Sequence, residues 1–350
     1  MLGRFRSRVN PAIGVVLGTV ALATALSAVP ASASTLTDPP NTPSKSDIVG
    51  VGSDTTQDVM GKQGGTLDKS GFSANYNATD PANKLWSFDA TGDATIVTSE
   101  GCDPITRPNG SGAGIAALKA DEVAGTGCID FARSSRVKNP STDGDLVFVP
   151  YARDGVTWAT FPNKAGGKKF NAPSDLTTSD LNGIFTCTIT NWSQVGGKNA
   201  PIIPFLPQAS SGTRAFFLAA IGVGTPGGCV QQPPELEENN GSLIPEDSRP
   251  NAILPYSIAK YTAQSTGASQ DNRAGSVLRS VDGAKPIVKN KLNPKFAPAF
   301  LRQVFNVLKP SELKDPAIQK VFSKKGFICK NTDIIRTFGF GTLAKSDCGY

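Results

Sequence analysis

Three times along this chain an apolar stretch or a Gly/Ser turn opens into a helix, and this recurrence constrains the fold more than any other feature. IVGVG at 48–52 leads through Ser53, Asp54, Thr55 and Thr56 into a short helical stretch. Asn109 to Gly114 is a Gly/Ser turn that precedes the helix-periodic IAALKADEV of Ile115 to Val123. IIPF at 202–205 passes through a polar turn holding Ser210, Ser211, Gly212 and Thr213 into FFLAAI. Such a turn exposes unpaired N–H groups, hydroxyls and the positive end of a helix dipole. Gly212 admits a ligand close to the backbone. Taken singly, each is ordinary N-capping by Ser or Thr; three in one chain suggest a shared anion cradle. Ser111 is placed to cap its helix and face the same cleft.

The rest of the chain alternates short strands with helices. CIDFA at 128–132 reads as a strand leading into Arg133, Ser134, Ser135 and Arg136, a polar patch with two guanidinium groups. LVFVPYA at 146–152 and VTWATF at 156–161 read as two strands, with Arg153, Asp154 and Gly155 as the turn between them. Ser179 to Thr186 and Ala297 to Leu308 have helix spacing, and Ile253 to Ala259 carries Tyr256 on a strand or short helix. The acidic run Glu235, Glu237, Glu238 reads as a solvated loop. The alternation predicts an α/β fold with mostly parallel sheets and ligands outside the carboxyl ends of the strands. The wide spacing of the polar turns predicts two lobes with a ligand cleft between them.

Histidine is absent from all 350 residues. That excludes a Ser-His-Asp triad, imidazole acid–base chemistry and imidazole metal sites. We expect no catalytic residue, no metal site and no cofactor. Lys and Arg number 35 against 29 Asp and Glu, and three of the arginines, Arg4, Arg6 and Arg8, lie in the first ten residues. So slight an excess, with no basic stripe interleaved with aromatics, argues against nucleic acid as a partner. Those arginines, the apolar run from Ile13 to Val29 and Ala31-Ser32-Ala33 make residues 1–33 a cleavable signal peptide. With no cysteine beside that site to carry a lipid, the expectation is a secreted, extracellular, monomeric protein. Residues 34–46 are Pro-rich and polar, and predict an extended or disordered linker.

The six cysteines all follow the leader, and their even number predicts disulfides. Neighbours pairing as Cys102–Cys128, Cys187–Cys229 and Cys329–Cys348 closes short loops, each stabilising by about 3–4 kcal/mol on the chain-entropy model. No CxxC spacing supports a metal reading instead.

In order, GVGSDTT, NGSGAGI, DFARSS, LTTSDLNGIFTCTITNW and SSGTRAFF resemble the phosphate-binding proteins of bacterial phosphate ABC transporters, which are type II periplasmic binding proteins. The resemblance covers most of residues 47 to about 260. It implies two α/β lobes joined by hinge crossovers: 47–153 and 257–350 as the first, 154–256 as the second. It also implies an oxyanion held by helix N-termini and hydroxyls. Ser111 matches the family's serine in a GSSGG-like turn, and Ser211, Gly212 and Thr213 match its SGT. The family's arginine four residues before that serine is Pro207 here, and its aspartate two before is Ala209. The aspartate of its DFGASD-like segment corresponds to Ser135, and its first-turn threonine to Asp54. The resemblance thus implies a ligand set of Ser53, Asp54, Thr55, Ser111, Ser134, Ser135, Ser211, Gly212, Thr213 and Arg214. Arg214, Arg133 or Arg136 would replace the missing cation, and Asp54 would accept the phosphate proton.

The leading expectation is therefore a secreted solute-binding protein for phosphate or a similar small oxyanion, with an ABC transporter permease as partner. Two alternatives stand beside it. One is a binding-protein scaffold repurposed for another ligand or a protein interaction; the other is a His-independent hydrolase using Ser211 or Thr213 with a lysine base.

Overall fold

A computed structural model describes residues 38–63 and 69–350; the predicted signal peptide lies outside the described residues. Seven strands form the main path of the sheet: β1 (Ile48–Gly52), β2 (Leu85–Ser87), β3 (Phe131–Ser134), β4 (Val147–Thr160), β5 (Ile203–Pro204), β6 (Ala252–Ser257) and β7 (Leu301–Leu308). Their order is β2-β1-β3-β7-β4-β6-β5. The helices that matter most for the site are α1 (Gly110–Ala124), α2 (Gly212–Ala220) and α3 (Ile258–Thr266).

The sheet is mixed rather than mostly parallel. β1 pairs parallel with β2 and β3, and β5 with β6, whereas β7 runs antiparallel to both β3 and β4, and β4 antiparallel to β6. The cause is a pair of long strands that the sequence reading divided or misassigned. β4 is continuous for 14 residues through Arg153, Asp154 and Gly155, the positions expected to turn. Arg153 is exposed and Asp154 buried, as the two-residue alternation of a strand requires. Ala297 to Leu308, expected as a helix, is a short 3-10 turn followed by β7. In register, Arg302 lies opposite Asp154.

β4 and β7 run together from one core to another. One core holds Val59, Phe72, Tyr151, Val304 and Phe322; the other holds Val156, Trp158, Phe185, Phe217 and Phe300. β4 thus enters the second core just past Gly155. Ala259, Ala263 and Ala268 pack in the first core just past Tyr256, after which Val281, Leu292 and Phe296 lie in the second and the chain comes back to the first along β7. β1 is buried along its whole length, the continuous apolar run expected of a central parallel strand.

The disulfides join Cys102 to Cys128, Cys187 to Cys229 and Cys329 to Cys348. The described part of the Pro-rich segment is irregular but anchored: Asp38 pairs with Arg107 at 3.0 Å and accepts from Asp89 N at 2.6 Å. Among the described residues, no helix is long and apolar enough to cross a membrane.

Candidate anion-binding site

The three polar turns meet. Gly52 bridges to Asn109, and Gly112 N donates to Ser210 O at 3.0 Å, so the starts of α1 and α2 abut the end of β1. Gly52 makes this possible with φ at +112°, and a side chain there would strike Arg133 O. Gly212 is needed for a different reason: a Cβ on it would collide with Ser111 Oγ and Ser135 Oγ.

Around Gly212 the hydroxyls form two linked groups. Ser53 Oγ donates to Ser135 Oγ at 3.2 Å, Ser135 N donates to Ser111 Oγ at 3.0 Å, and the Ser111 and Ser135 hydroxyls lie 3.3 Å apart. All three serines are buried. Thr55 and Thr213 face each other across 3.0 Å between their hydroxyl oxygens. Ser111 is not the cap of α1, whose N-cap is Asn109; it sits inside the first turn and turns its hydroxyl to the cluster. Ser211 does both jobs, capping α2 by accepting from Arg214 N at 3.0 Å and lining the cluster. Ser134, on the opposite face of its strand, hydrogen-bonds Arg136 locally.

None of the three guanidinium groups singled out in the sequence donates to these hydroxyls. Arg133 is fully buried and donates to Ser53 O, Gly52 O and Ser87 Oγ, tying β1 to its neighbours. Arg136 pairs with Asp143 at 2.7 Å, and Arg214 donates to Pro207 O and Gln232. The cation at the cluster is Arg302, which the sequence does not single out because its segment has helix spacing. Its guanidinium donates to Thr213 Oγ1 at 3.0 Å, Ser135 O at 2.8 Å and Asp154 Oδ2 at 2.8 Å. Asp154 also accepts from Ser257 Oγ and Ala259 N, so the cross-strand pair is fully bonded in the interior.

The other residue missed is Glu238. Its carboxylate accepts from Thr55 N at 3.2 Å, Thr55 Oγ1 at 2.8 Å, Thr213 N at 3.0 Å and Ser211 Oγ. The acidic run is therefore no solvated loop at this position: Glu238 is 2% exposed. Glu237 beside it accepts from Asn109 Nδ2 at 2.5 Å, and burial pushes its carboxyl up to about 7. Nothing in the residue types distinguished Glu238 from Glu235; only its position after a buried Leu236 hinted at an inward turn.

Asp54 lies beside this group. Lys260 bonds Asp58 at 2.5 Å and stands 3.9 Å from Asp54, whose second oxygen is buried without a hydrogen-bond partner. Burial pushes Asp54 well above the usual carboxylate range; Lys260 opposes this, while Glu238, Glu237 and Asp58 add to it. A protonated Asp54 carries a donor rather than a charge.

A family model described as the PBP superfamily domain matches residues 37–296. The chain belongs to the PBP superfamily. Two solved structures share the architecture. One is an ABC-type phosphate transport receptor from Vibrio cholerae: 21% identity, TM-score 0.56, covering 85% of this chain and 100% of that one. The other is a putative phosphate ABC transporter substrate-binding protein with bound phosphate from Clostridium perfringens: 20% identity, TM-score 0.57, with the same coverage. At these identities the likeness establishes the two-lobed binding-protein fold, and this PBP superfamily member's site has to be judged on its own residues.

Proposed function

We propose that this protein is a secreted solute-binding protein that captures phosphate or a similar small oxyanion at the cluster around Gly212, for delivery to an ABC transporter permease. One observation carries the reading: backbone N–H groups and hydroxyls from separate turns converge on the two oxygens of a carboxylate, beside a buried arginine. A carboxylate and a tetrahedral oxyanion ask for the same donors, and each charge-assisted hydrogen bond contributes about 1.5–3 kcal/mol. The two solved relatives, named for phosphate transport, support the ligand class. We assign Ser53, Thr55, Ser111, Ser135, Ser211, Gly212, Thr213 and Arg302 to the cradle, with Asp54 at its edge. Arg214 stays outside it. Capture requires no bond to form or break.

Titration calorimetry with phosphate and sulfate, carried to tens of millimolar on protein refolded with disulfides intact, tests this. The expected result is saturable one-to-one phosphate binding, weakened by Ser111→Ala and by Thr213→Val. Absence of binding by the wild type and by a variant lacking the Glu238 carboxylate overturns it. A second reading, a scaffold turned to another ligand, draws support from Glu238 itself, because a fixed carboxylate already fills the donors.

A further inference from the structure

We propose that Glu238 is an internal ligand of the oxyanion cradle, so that an incoming anion binds only by displacing its carboxylate, and Glu238 thereby sets the affinity of the site. This rests on the reading of the cluster as an oxyanion site and goes beyond it by naming the competitor.

Four donors end on the two Glu238 oxygens: the N–H groups of Thr55 and Thr213 and the hydroxyls of Thr55 and Ser211. Among the described residues no lysine or arginine forms an ion pair with it. Its charge is balanced by neutral dipoles, the means by which a binding protein balances a captured anion. Its partners also come from both halves of the chain. Thr55 follows β1 on the side of the first core, whereas Ser211 and Thr213 open α2, whose Phe217 belongs to the second. Glu238 bridges the two as a bound solute bridges a closed cleft.

The carboxylate is delivered by a rigid arm. Asn239 holds a left-handed backbone at φ 62°, unusual outside glycine though asparagine tolerates it better than most. The conformation is pinned on every side: Asn239 Oδ1 accepts from Ser257 N at 2.7 Å, and its carbonyl from Tyr256 Oη at 2.6 Å and Gln264 Nε2 at 2.9 Å. Its Nδ2 donates to Thr55 Oγ1 at 3.2 Å. Such anchoring leaves the Glu238 side chain, rather than the loop, as the part that moves aside. An anion that entered while Glu238 stayed would find its donors taken and a carboxylate in contact, a repulsive arrangement in a low-dielectric site. The apparent affinity is then the intrinsic one reduced by the fraction of molecules whose Glu238 has left.

The experiment compares wild type, Glu238→Ala and Glu238→Gln. Phosphate affinity is read by calorimetry, and melting temperature is read with and without phosphate or acetate. If Glu238 is the internal ligand, both variants bind phosphate at least tenfold more tightly than wild type. Acetate at tens of millimolar then raises the melting temperature of Glu238→Ala but not that of wild type, because it replaces the missing carboxylate. Glu238→Gln keeps the shape, so it carries the affinity test if the alanine variant folds poorly. Equal or weaker phosphate binding in the variants overturns the inference, leaving Glu238 as an ordinary ligand-binding residue and the phosphate function intact. Rescue by acetate without phosphate binding upholds the internal ligand and overturns the phosphate reading. No binding and no rescue by either anion overturns both.

Discussion

Two of the buried carboxylates around the site, Asp154 and Glu238, are held in opposite ways. Asp154 meets a guanidinium directly across two strands and has both oxygens occupied by Arg302, Ser257 and Ala259. Glu238 meets only hydroxyls and N–H groups. The first arrangement is one charge answering another inside the crossing strands, and removal of either partner strands the other. The second is a charge met by neutral donors alone, the donors that our proposal assigns to an incoming oxyanion. Burial by itself therefore says little about whether an acidic side chain is structural or exchangeable; the identity of its partners decides.

The largest expected effect tests the structural side. Asp154→Asn leaves Arg302 buried without its counter-charge, and urea unfolding should show a loss of about 3–5 kcal/mol that no added anion restores. Restoration by phosphate would erase the distinction between the two carboxylates. Gly212→Ala should come next: its Cβ meets Ser111 Oγ and Ser135 Oγ, and overpacking of this kind costs about 1–3 kcal/mol. Calorimetry should show anion binding lost or reduced by at least tenfold, with the circular dichroism spectrum unchanged.

A third prediction concerns Glu237, which shares the arm with Glu238 but is bonded to Asn109. Its folded-state carboxyl is raised from 4.5 to about 7 by burial, so the folded protein holds a proton that the unfolded chain has released. Stability from this group is present at low pH and is lost as pH rises from about 4.5 through about 7. Denaturation across that window should therefore show wild type losing stability relative to Glu237→Gln; parallel curves would mean that Glu237 does not titrate there. The smallest effect belongs to Arg214→Ala. Its guanidinium serves Pro207 O and Gln232, and phosphate affinity should change by less than about threefold, against a loss of about 1 kcal/mol, roughly fivefold, for Thr55→Val. A large loss in Arg214→Ala would place that arginine in the cradle after all.

Much of the fold was legible because it rests on local signals. Apolar β1 before a polar turn, the helix over Ile115 to Val123, the helix after Ser211 and the neighbouring cysteine pairs follow from spacing and composition, and the structure holds them, although the helix of Ile115 already starts at Gly110, inside the expected Gly/Ser turn. The misreadings share a cause. Arg153-Asp154-Gly155 looked like a turn because charges and glycine favour turns, yet β4 continues because the Asp154 charge is met by Arg302 on a strand 148 positions away. Arg302 was hidden by the same circumstance, since apolar residues on a two-sided buried strand mimic helix spacing.

Residue types and their order dictate polar helix starts at strand ends, disulfides and the lack of imidazole chemistry, because these depend on residues close along the chain, on an even set of cysteines behind a leader, or on a residue type wholly absent. Which cation reaches the hydroxyls, and which carboxylate rests among them, was decided by tertiary structure alone. Arg302 and Glu238 come to Thr213 from 89 and 25 positions away. Such contacts are set by strand register and by one left-handed asparagine, and neither leaves a local trace in composition or periodicity.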